Sequence, residues 1–263
     1  VIDERILWTI PSRGRAEILA AKTLPLLRRL GVDPLRTKVY VAPEEIADYR
    51  RTLAIAGFGL VRICRGALGG VENRNAILDA TEEGTRTVSI DDDLRDLVVR
   101  RSEKLLEPVE PDEFAEIVAT GFDYLDSTPA RIFGLYAVPN PFFMKPRWRT
   151  ELCYLGGAFT GYYSSRDPDS PLRVSYKYKH DFERSLRCYV ADGMLVRCDY
   201  VSWRTEGYRG SGGLQSDGDR AAVMPEIVEA LAREFPGLAH PNYSKKSGWP
   251  EVRLVDRRAT VRS

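Results

Sequence analysis

Three consecutive carboxylates, Asp91, Asp92 and Asp93, follow the expected strand 86–90. Side-by-side carboxylates repel unless a cation sits between them. On an extended backbone Asp91 and Asp93 share one side, because side chains repeat every second residue, and Asp92 faces the body of the protein. Two such carboxylates suit a hard divalent ion, Mg²⁺ or Mn²⁺, that keeps positions open for water and phosphate oxygens. The competing reading is an acidic turn that starts a helix, with one Asp as its N-cap. A second group, Glu72-Asn73-Arg74-Asn75, follows Gly69-Gly70. Backbone amides at that helix start can face a diphosphate, Arg74 can add charge-assisted bonds, and Asn73 or Asn75 can read a base or ribose. A capped surface helix is the alternative. A third group is His180-Asp181-Phe182-Glu183, where a carboxylate can accept a proton or merely cap a helix.

Further along, residues 204–219 carry five glycines in 16 positions. Such a loop can move, close over a bound donor and exclude water, bringing Arg209 to diphosphate oxygens. Basic and aromatic residues cluster at Lys145, Arg147, Trp148 and Arg149, then at Arg173, Tyr176, Lys177, Tyr178 and Lys179, and again at Lys245, Lys246 and Trp249. The pattern suits phosphate contacts with base stacking. One such cluster would be an ordinary solvated face, and three in one half of the chain point to nucleic acid.

These residues need a frame. The first hundred positions alternate short apolar runs with helical spacing. Strands are expected near 5–10, 37–42, 59–63 and 86–90, and helices at 18–30, from Pro43 onward, and at 72–80. That alternation implies a mostly parallel sheet with right-handed crossovers, whose ligands sit outside the carboxyl ends of the strands. Pro11, Ser12, Arg13 and Arg15, Glu44, and the Asp triplet all fall there. The second half reads as a helix at 111–125, aromatic β-rich runs at 132–136, 152–163 and 172–175, a helix at 180–190, a strand at 195–203 and a helix at 221–235. The expectation is one α/β domain over 1–263, with a nucleotide-binding half at 1–105 and a mixed, β-rich half at 106–263.

Composition narrows the classes. With 43% hydrophobic and 29% charged residues the chain is that of a folded globular protein. The net charge of +1 excludes a polycation that coats nucleic acid by bulk charge, though not local basic faces. The longest uncharged stretch, 152–165, has 14 residues, too few for a bilayer span of ~20. The N-terminal residues are acidic before they are apolar, unlike a signal peptide. Four cysteines without a CxxC pair and two histidines speak against structural zinc and for reduced thiols in a cytoplasm.

Three motifs in order, Ile10-Pro11-Ser12-Arg13-Gly14-Arg15, Glu72-Asn73-Arg74-Asn75-Ala76-Ile77 and Ser89-Ile90-Asp91-Asp92-Asp93, resemble a GT-A glycosyltransferase. The layout is most similar to the glycosyltransferases associated with TET/JBP base oxidases, the group of the kinetoplastid base J glucosyltransferase and of phage enzymes acting on hydroxymethylated DNA pyrimidines. The resemblance covers the first ~100 residues and is looser from Gly156 onward. It implies a GT-A-like Rossmann-type fold and a UDP-sugar donor, with glucose as the default sugar. The donor would be held by Pro11, Ser12, Arg13, Arg15, Glu44, Asn73, Arg74, Asp91, Asp92 and Arg209, with Gly156 and Gly157 beside the sugar. A Mn²⁺ or Mg²⁺ ion would bind Asp91 and Asp93, with His240 as a late third ligand. Asp181 would be the general base, with His180 orienting it and Glu183 as the rival two residues on. The acceptor implied is the hydroxymethyl group of a 5-hydroxymethylpyrimidine in DNA, gripped by Lys145, Arg147, Trp148, Arg149, Lys177, Lys179, Lys245 and Lys246. The setting would be a bacterial cytoplasm for a phage-encoded enzyme. Glycan, lipid or protein acceptors, and a non-catalytic binding module, are the alternatives.

Overall fold

The structure is a computed structural model that describes residues 1–205, 220–244 and 248–256. Its first strand, β1 (Leu7–Pro11), is buried over Leu7–Ile10, as expected for a strand with neighbours on both edges and helices on its faces. The helical run that follows is broken into α1 (Ala16–Ala21) and α2 (Thr23–Arg29) rather than one helix over 18–30. Pro25 has no N–H to donate to the carbonyl of Ala21, so the helix cannot run through. Next come β2 (Thr37–Val41), α3 (Ile46–Ile55), β3 (Arg62–Arg65), α4 (Gly70–Ala80) and β4 (Arg86–Ile90).

Beyond β4 the chain bends at Asp92-Asp93 and enters β5 (Leu94–Arg100), a strand the sequence reading did not anticipate. The Asp triplet therefore joins two strands and starts no helix. The remaining elements are β6 (Leu106–Pro108), α5 (Pro111–Ser127), β7 (Ile132–Tyr136), β8 (Trp148–Arg149), β9 (Phe159–Tyr163), α6 (His180–Asp192), β10 (Val196–Thr205), α7 (Arg220–Glu234), β11 (Ala239–Asn242) and β12 (Glu251–Leu254). Of the expected β-rich runs, 152–158 and 172–175 are irregular.

Strands β3-β2-β1-β4-β9-β7-β10-β5-β6 form one sheet, with β8 added on β10, and β11-β12 form a separate ribbon. The first four are parallel, and β7-β10 is a further parallel pair. The pairs β4-β9, β7-β9, β10-β5 and β5-β6 are antiparallel. The parallel first strands and the mixed second half match the expected class. The two halves interleave, because β9, β7 and β10 separate β5 from β4. Strands β1 and β4 lie side by side, with Trp8 opposite Val88, so their carboxyl ends deliver Ser12 and the Asp bend to one place.

Phe114 and Phe122 of α5 anchor the sheet through edge and tilted contacts with Trp8, Phe159 and Phe133 at 5.2–6.2 Å between ring centres. Gly121 and Gly161 flank Phe133 so closely that a Cβ at either would strike its ring. A second apolar cluster, including Leu186, Met224, Val228 and Leu231, fixes α6 and α7 together. No described helix is long and apolar enough to cross a membrane.

Candidate active site at the strand ends

The bend at Asp91–Asp93 is held from three sides. Thr23, at the start of α2, donates to the Asp91 carbonyl at 2.9 Å and accepts from the Leu94 amide at 2.9 Å. Ser12 Oγ donates to Asp92 Oδ2 at 2.5 Å and lies 2.7 Å from the Tyr49 hydroxyl, which accepts from the Arg15 amide. Arg15 Nη1 reaches Asp92 Oδ1 at 3.2 Å and Asp93 Oδ2 at 3.5 Å. Asp92 is buried, as its inward direction required, and burial pushes its carboxyl up against the pull of Ser12 and Arg15. The Asp93 carboxyl is pushed up to about 6, first by burial and then by the carboxylates of Asp91 and Asp92. The triplet is a turn rather than extended backbone, so Asp91 and Asp93 do not simply alternate. Asp91 bonds Arg74 and Asp93 faces Arg15.

From Asp91 a part-buried polar chain crosses into the second half. Arg74 Nη2 donates to Asp91 Oδ1 at 2.9 Å, and Arg74 Nε donates to His180 Nε2 at 3.0 Å. His180 Nε2 lies 3.2 Å from Asp181 Oδ1, whose other oxygen accepts from the Tyr154 hydroxyl at 3.2 Å. Arg184 Nη2 stands 3.7 Å from Asp181, one helical turn along α6. Burial and then Arg74 and Arg184 hold the imidazole below its usual range, which keeps His180 neutral. Burial raises the Asp181 carboxyl, but His180, Arg74 and Arg184 together outweigh it and leave the carboxyl low, hence ionised. Several atoms here are buried without a partner: Arg74 Nη1, His180 Nδ1, Asp181 Oδ1, and Arg184 Nε and Nη2. Such groups cost free energy unless something bonds them, and they gather where a polar ligand would supply the partner.

The glycine pair follows from the same geometry. A Cβ at Gly157 would come 2.5 Å from Asp181 Oδ1 and 3.3 Å from Arg74 Nη2, and one at Gly156 would come 2.7 Å from the Trp203 ring. The loop can pass Asp181 only without side chains. Its carbonyl at Ala158 accepts from the Asp91 amide, which ties it to the Asp bend. A cleft of about 540 Å³ opens at the start of α4, walled by Arg13, by Gly69, Gly70 and Glu72, and by Lys177; Asp91–Asp93, Arg74, His180 and Asp181 do not line it. Its size is that of a small-molecule site.

Other expected residues have different work. Glu44 is exposed, and the acid that faces the loop after β1 is Glu45, whose Oε1 lies 3.8 Å from where a Gly14 Cβ would sit. Burial pushes the Glu45 carboxyl up. Asn73 is buried and spends its amide on the backbone, donating to the Tyr40 carbonyl at 2.9 Å and accepting from the Ala67 amide at 3.2 Å. Asn75 does the same with Val174. Both amides tie the chain to itself, each through one donated and one accepted backbone bond. Glu183 is fully buried and accepts from the amides of Ser175 and Tyr176 and the hydroxyl of Ser175. It is a structural anchor, so Asp181 is the carboxylate of this pair that stands in the polar chain.

His240 sits on β11, opposite Arg253 of β12. Among the described residues no group of three or more His, Cys, Asp and Glu side chains is placed to hold a metal, so His240 does not join the Asp bend. The basic clusters are also largely committed inside the protein. Arg149 pairs with the buried Asp199 at 2.9 Å, Arg147 approaches it at 3.6 Å, and Arg197 bonds it at 2.7 Å. Trp148 packs on Tyr124 and Tyr200 rather than offering a stacking face. Lys179 pairs with Glu251 at 2.7 Å. Lys145 and Lys177 are exposed. Arg209, Lys245 and Lys246 lie outside the described residues. Sequence reasoning missed Tyr49, Tyr154, Glu45 and Arg184. Arg184 was findable, since it follows Asp181 by the three residues that share a helix face.

No protein-family model and no curated protein sequence matches the chain. Solved structures do match. The S. aureus TarS fragment 1-349 in complex with UDP-GlcNAc superposes with a TM-score of 0.57 at 12% identity, over 87% of this chain and 66% of that one. The same fragment with UDP gives 0.51 at 12% identity, over 86% and 65%. A mycobacterial protein gives 0.50 at 14% identity, over 95% and 83%. The chain thus spans just under two thirds of the TarS fragment. At such identities the likeness is one of fold: this chain has the GT-A-like, Rossmann-type α/β architecture.

Proposed function

We propose that the chain is a glycosyltransferase that takes its sugar from a UDP-sugar, with a divalent cation at Asp91 and Asp93. The observation that carries this reading is the part-buried chain Asp91–Arg74–His180–Asp181, which joins the acidic bend to a carboxylate packed against Gly157. Asp91 and Asp93 would be the cation's two carboxylate ligands, with water and diphosphate oxygens completing the shell, and the ion would displace Arg74 and Arg15 from them. Asp93 is raised to about 6 by burial and by two neighbouring carboxylates, a strain that a bound divalent ion relieves. Such an ion would neutralise the diphosphate as it departs.

In this reading the nucleotide lies in the cleft, with Arg13 and the α4 amides near phosphate and the sugar beside Gly156-Gly157. The acceptor oxygen forms a bond to the anomeric carbon, and the bond from that carbon to the diphosphate oxygen breaks. The bonding pair leaves with the diphosphate, and the acceptor proton passes to Asp181. Arg74 and Arg184 keep Asp181 ionised and ready to accept it. The low carboxyl makes it a weak base for a ground-state hydroxyl, so transfer comes as the attacking oxygen turns acidic in the transition state.

For the acceptor we infer a 5-hydroxymethylpyrimidine in DNA and for the sugar glucose, on the motif resemblance, with exposed Lys145 and Lys177 to meet phosphates. A base in a duplex would have to be extruded to reach Asp181. The internal pairing of Arg147, Arg149 and Lys179 favours a second reading, a glycan or protein acceptor. Incubating the protein with Mn²⁺, a panel of sugar nucleotides, and hydroxymethylated or unmodified oligonucleotides separates the readings. Nucleosides heavier by one hexose, only with the hydroxymethylated strand, support DNA. Donor hydrolysis without DNA product points to the other acceptors, and no donor turnover or binding overturns the glycosyltransferase reading.

A further inference from the structure

The sheet ends at β3, which pairs with β2 and, among the described residues, has no strand on its other side. Its outer N–H and C=O groups are therefore a template for another extended chain. Along this edge runs a groove of about 710 Å³ that reaches around both faces of the strand. α3 packs on β3, while α4 packs on β1 and β2 and leaves the β3 edge open.

The groove's charge is one-sided. Lys38, Arg50, Arg62 and Arg65 line it, and no carboxylate does. Most arginines elsewhere pair with an acid, such as Arg29 with Asp96, Arg86 with Asp3 and Asp126, Arg101 with Glu113, and Arg131 with Asp192. The four groove cations make no ion pair among the described residues. Like charges gathered without counter-charge repel and are costly unless an anionic partner is the purpose. An exposed aliphatic side chain, Leu60 at 65%, lines the same groove.

We propose that the β3 edge binds an acidic segment of another protein in extended conformation, added as a further strand. The main chain of β3 would supply hydrogen bonds; Lys38 and Arg62, register partners on one face, would meet alternate acidic side chains of the added strand, and Arg65, on the other face, would meet an acid there. Nucleic acid fits less well. Binding of a single strand relies on exposed aromatic faces, and the groove's aromatic residues, Tyr40 and Phe58, are buried in the protein at 1% and 7% exposure. The site lies outside the cleft described above and does not depend on its assignment.

The test uses fluorescence anisotropy of the full chain with three labelled probes: an eight-residue peptide alternating Glu and Val, the same peptide with central prolines, and a single-stranded oligonucleotide of equal charge. The Glu/Val peptide is expected to bind, and the proline version about tenfold more weakly, because proline cannot donate to a strand edge. The double variant Arg62→Glu/Arg65→Glu should weaken the Glu/Val peptide at least tenfold, and Arg50→Glu, on α3, should weaken it by a smaller factor. These exposed positions are remote from the core, and circular dichroism confirms the fold of each variant. Absence of peptide binding, equal binding of the proline version, indifference to the charge reversals, or tighter binding of the oligonucleotide would each overturn the proposal.

Discussion

Replacing Asp93 by Asn should make the metal-free protein more stable, although the residue lies at the proposed centre of function. Burial, then Asp91 and Asp92, raise the Asp93 carboxyl from 3.8 to about 6. A difference of roughly two pH units at 1.36 kcal/mol each is about 3 kcal/mol, and the side chain is only 17% exposed, so solvent screens little of it. The unfolded chain loses this proton near its ordinary value, while the folded chain holds it up to about 6. The associated stability is therefore complete below the unfolded value and is lost as pH rises through about 6. Asn mimics the protonated form and can still accept from Arg15. In EDTA, urea unfolding at pH 7.5 should show Asp93→Asn more stable than the parent by up to about 3 kcal/mol, and the gain should vanish near pH 4. Added Mn²⁺ should narrow the gap by stabilising only the parent. An Asn variant no more stable than the parent at pH 7.5, or a difference that does not change with pH, would refute the account of charge strain at the bend.

Other outcomes follow from the same geometry. Asp181→Asn should lower kcat by roughly 10²–10⁴-fold with UDP binding retained, read by steady-state kinetics and calorimetry; a loss confined to KM would mark it as a binding residue. Gly157→Ala puts a methyl group against the Asp181 carboxylate, and a small displacement there should cost on the order of 10²-fold in kcat with little change in melting temperature. Glu183→Gln should do the reverse, lowering stability by about 1.5–3 kcal/mol in urea unfolding, since bonds to a buried carboxylate are weakened, while the folded fraction keeps its kcat.

The parallel half was legible because its signals are local. Apolar runs of strand length, breaks at Pro11 and Gly31, and an acidic strand end give β1 through β4 without knowledge of the rest. The helix break before Thr23 was readable from Pro25. The interleaving of β5 with β7, β9 and β10 was not, because pairing between distant strands leaves no mark on either one. The candidate site shows the same divide. Ser12, Arg15, Arg74, Gly157, His180 and Asp181 were singled out from residue type and position, and the fold brings them together around the Asp bend. Asn73, Asn75, Glu183 and Arg149 carry the same chemistry in the sequence, yet they bond backbone or buried Asp199. Only three-dimensional bookkeeping of partners separates a polar residue that holds the chain from one that can hold a ligand.

The central claim is that a divalent cation and a nucleoside diphosphate meet at the Asp91–Asp93 bend. Calorimetric titration of UDP into the parent protein with Mn²⁺, into the parent with EDTA, and into Asp93→Asn with Mn²⁺ tests it most directly. The account predicts binding in the first case, weakened at least tenfold in the other two, as loss of a buried charge partner requires. Equal UDP affinity in all three titrations would contradict it.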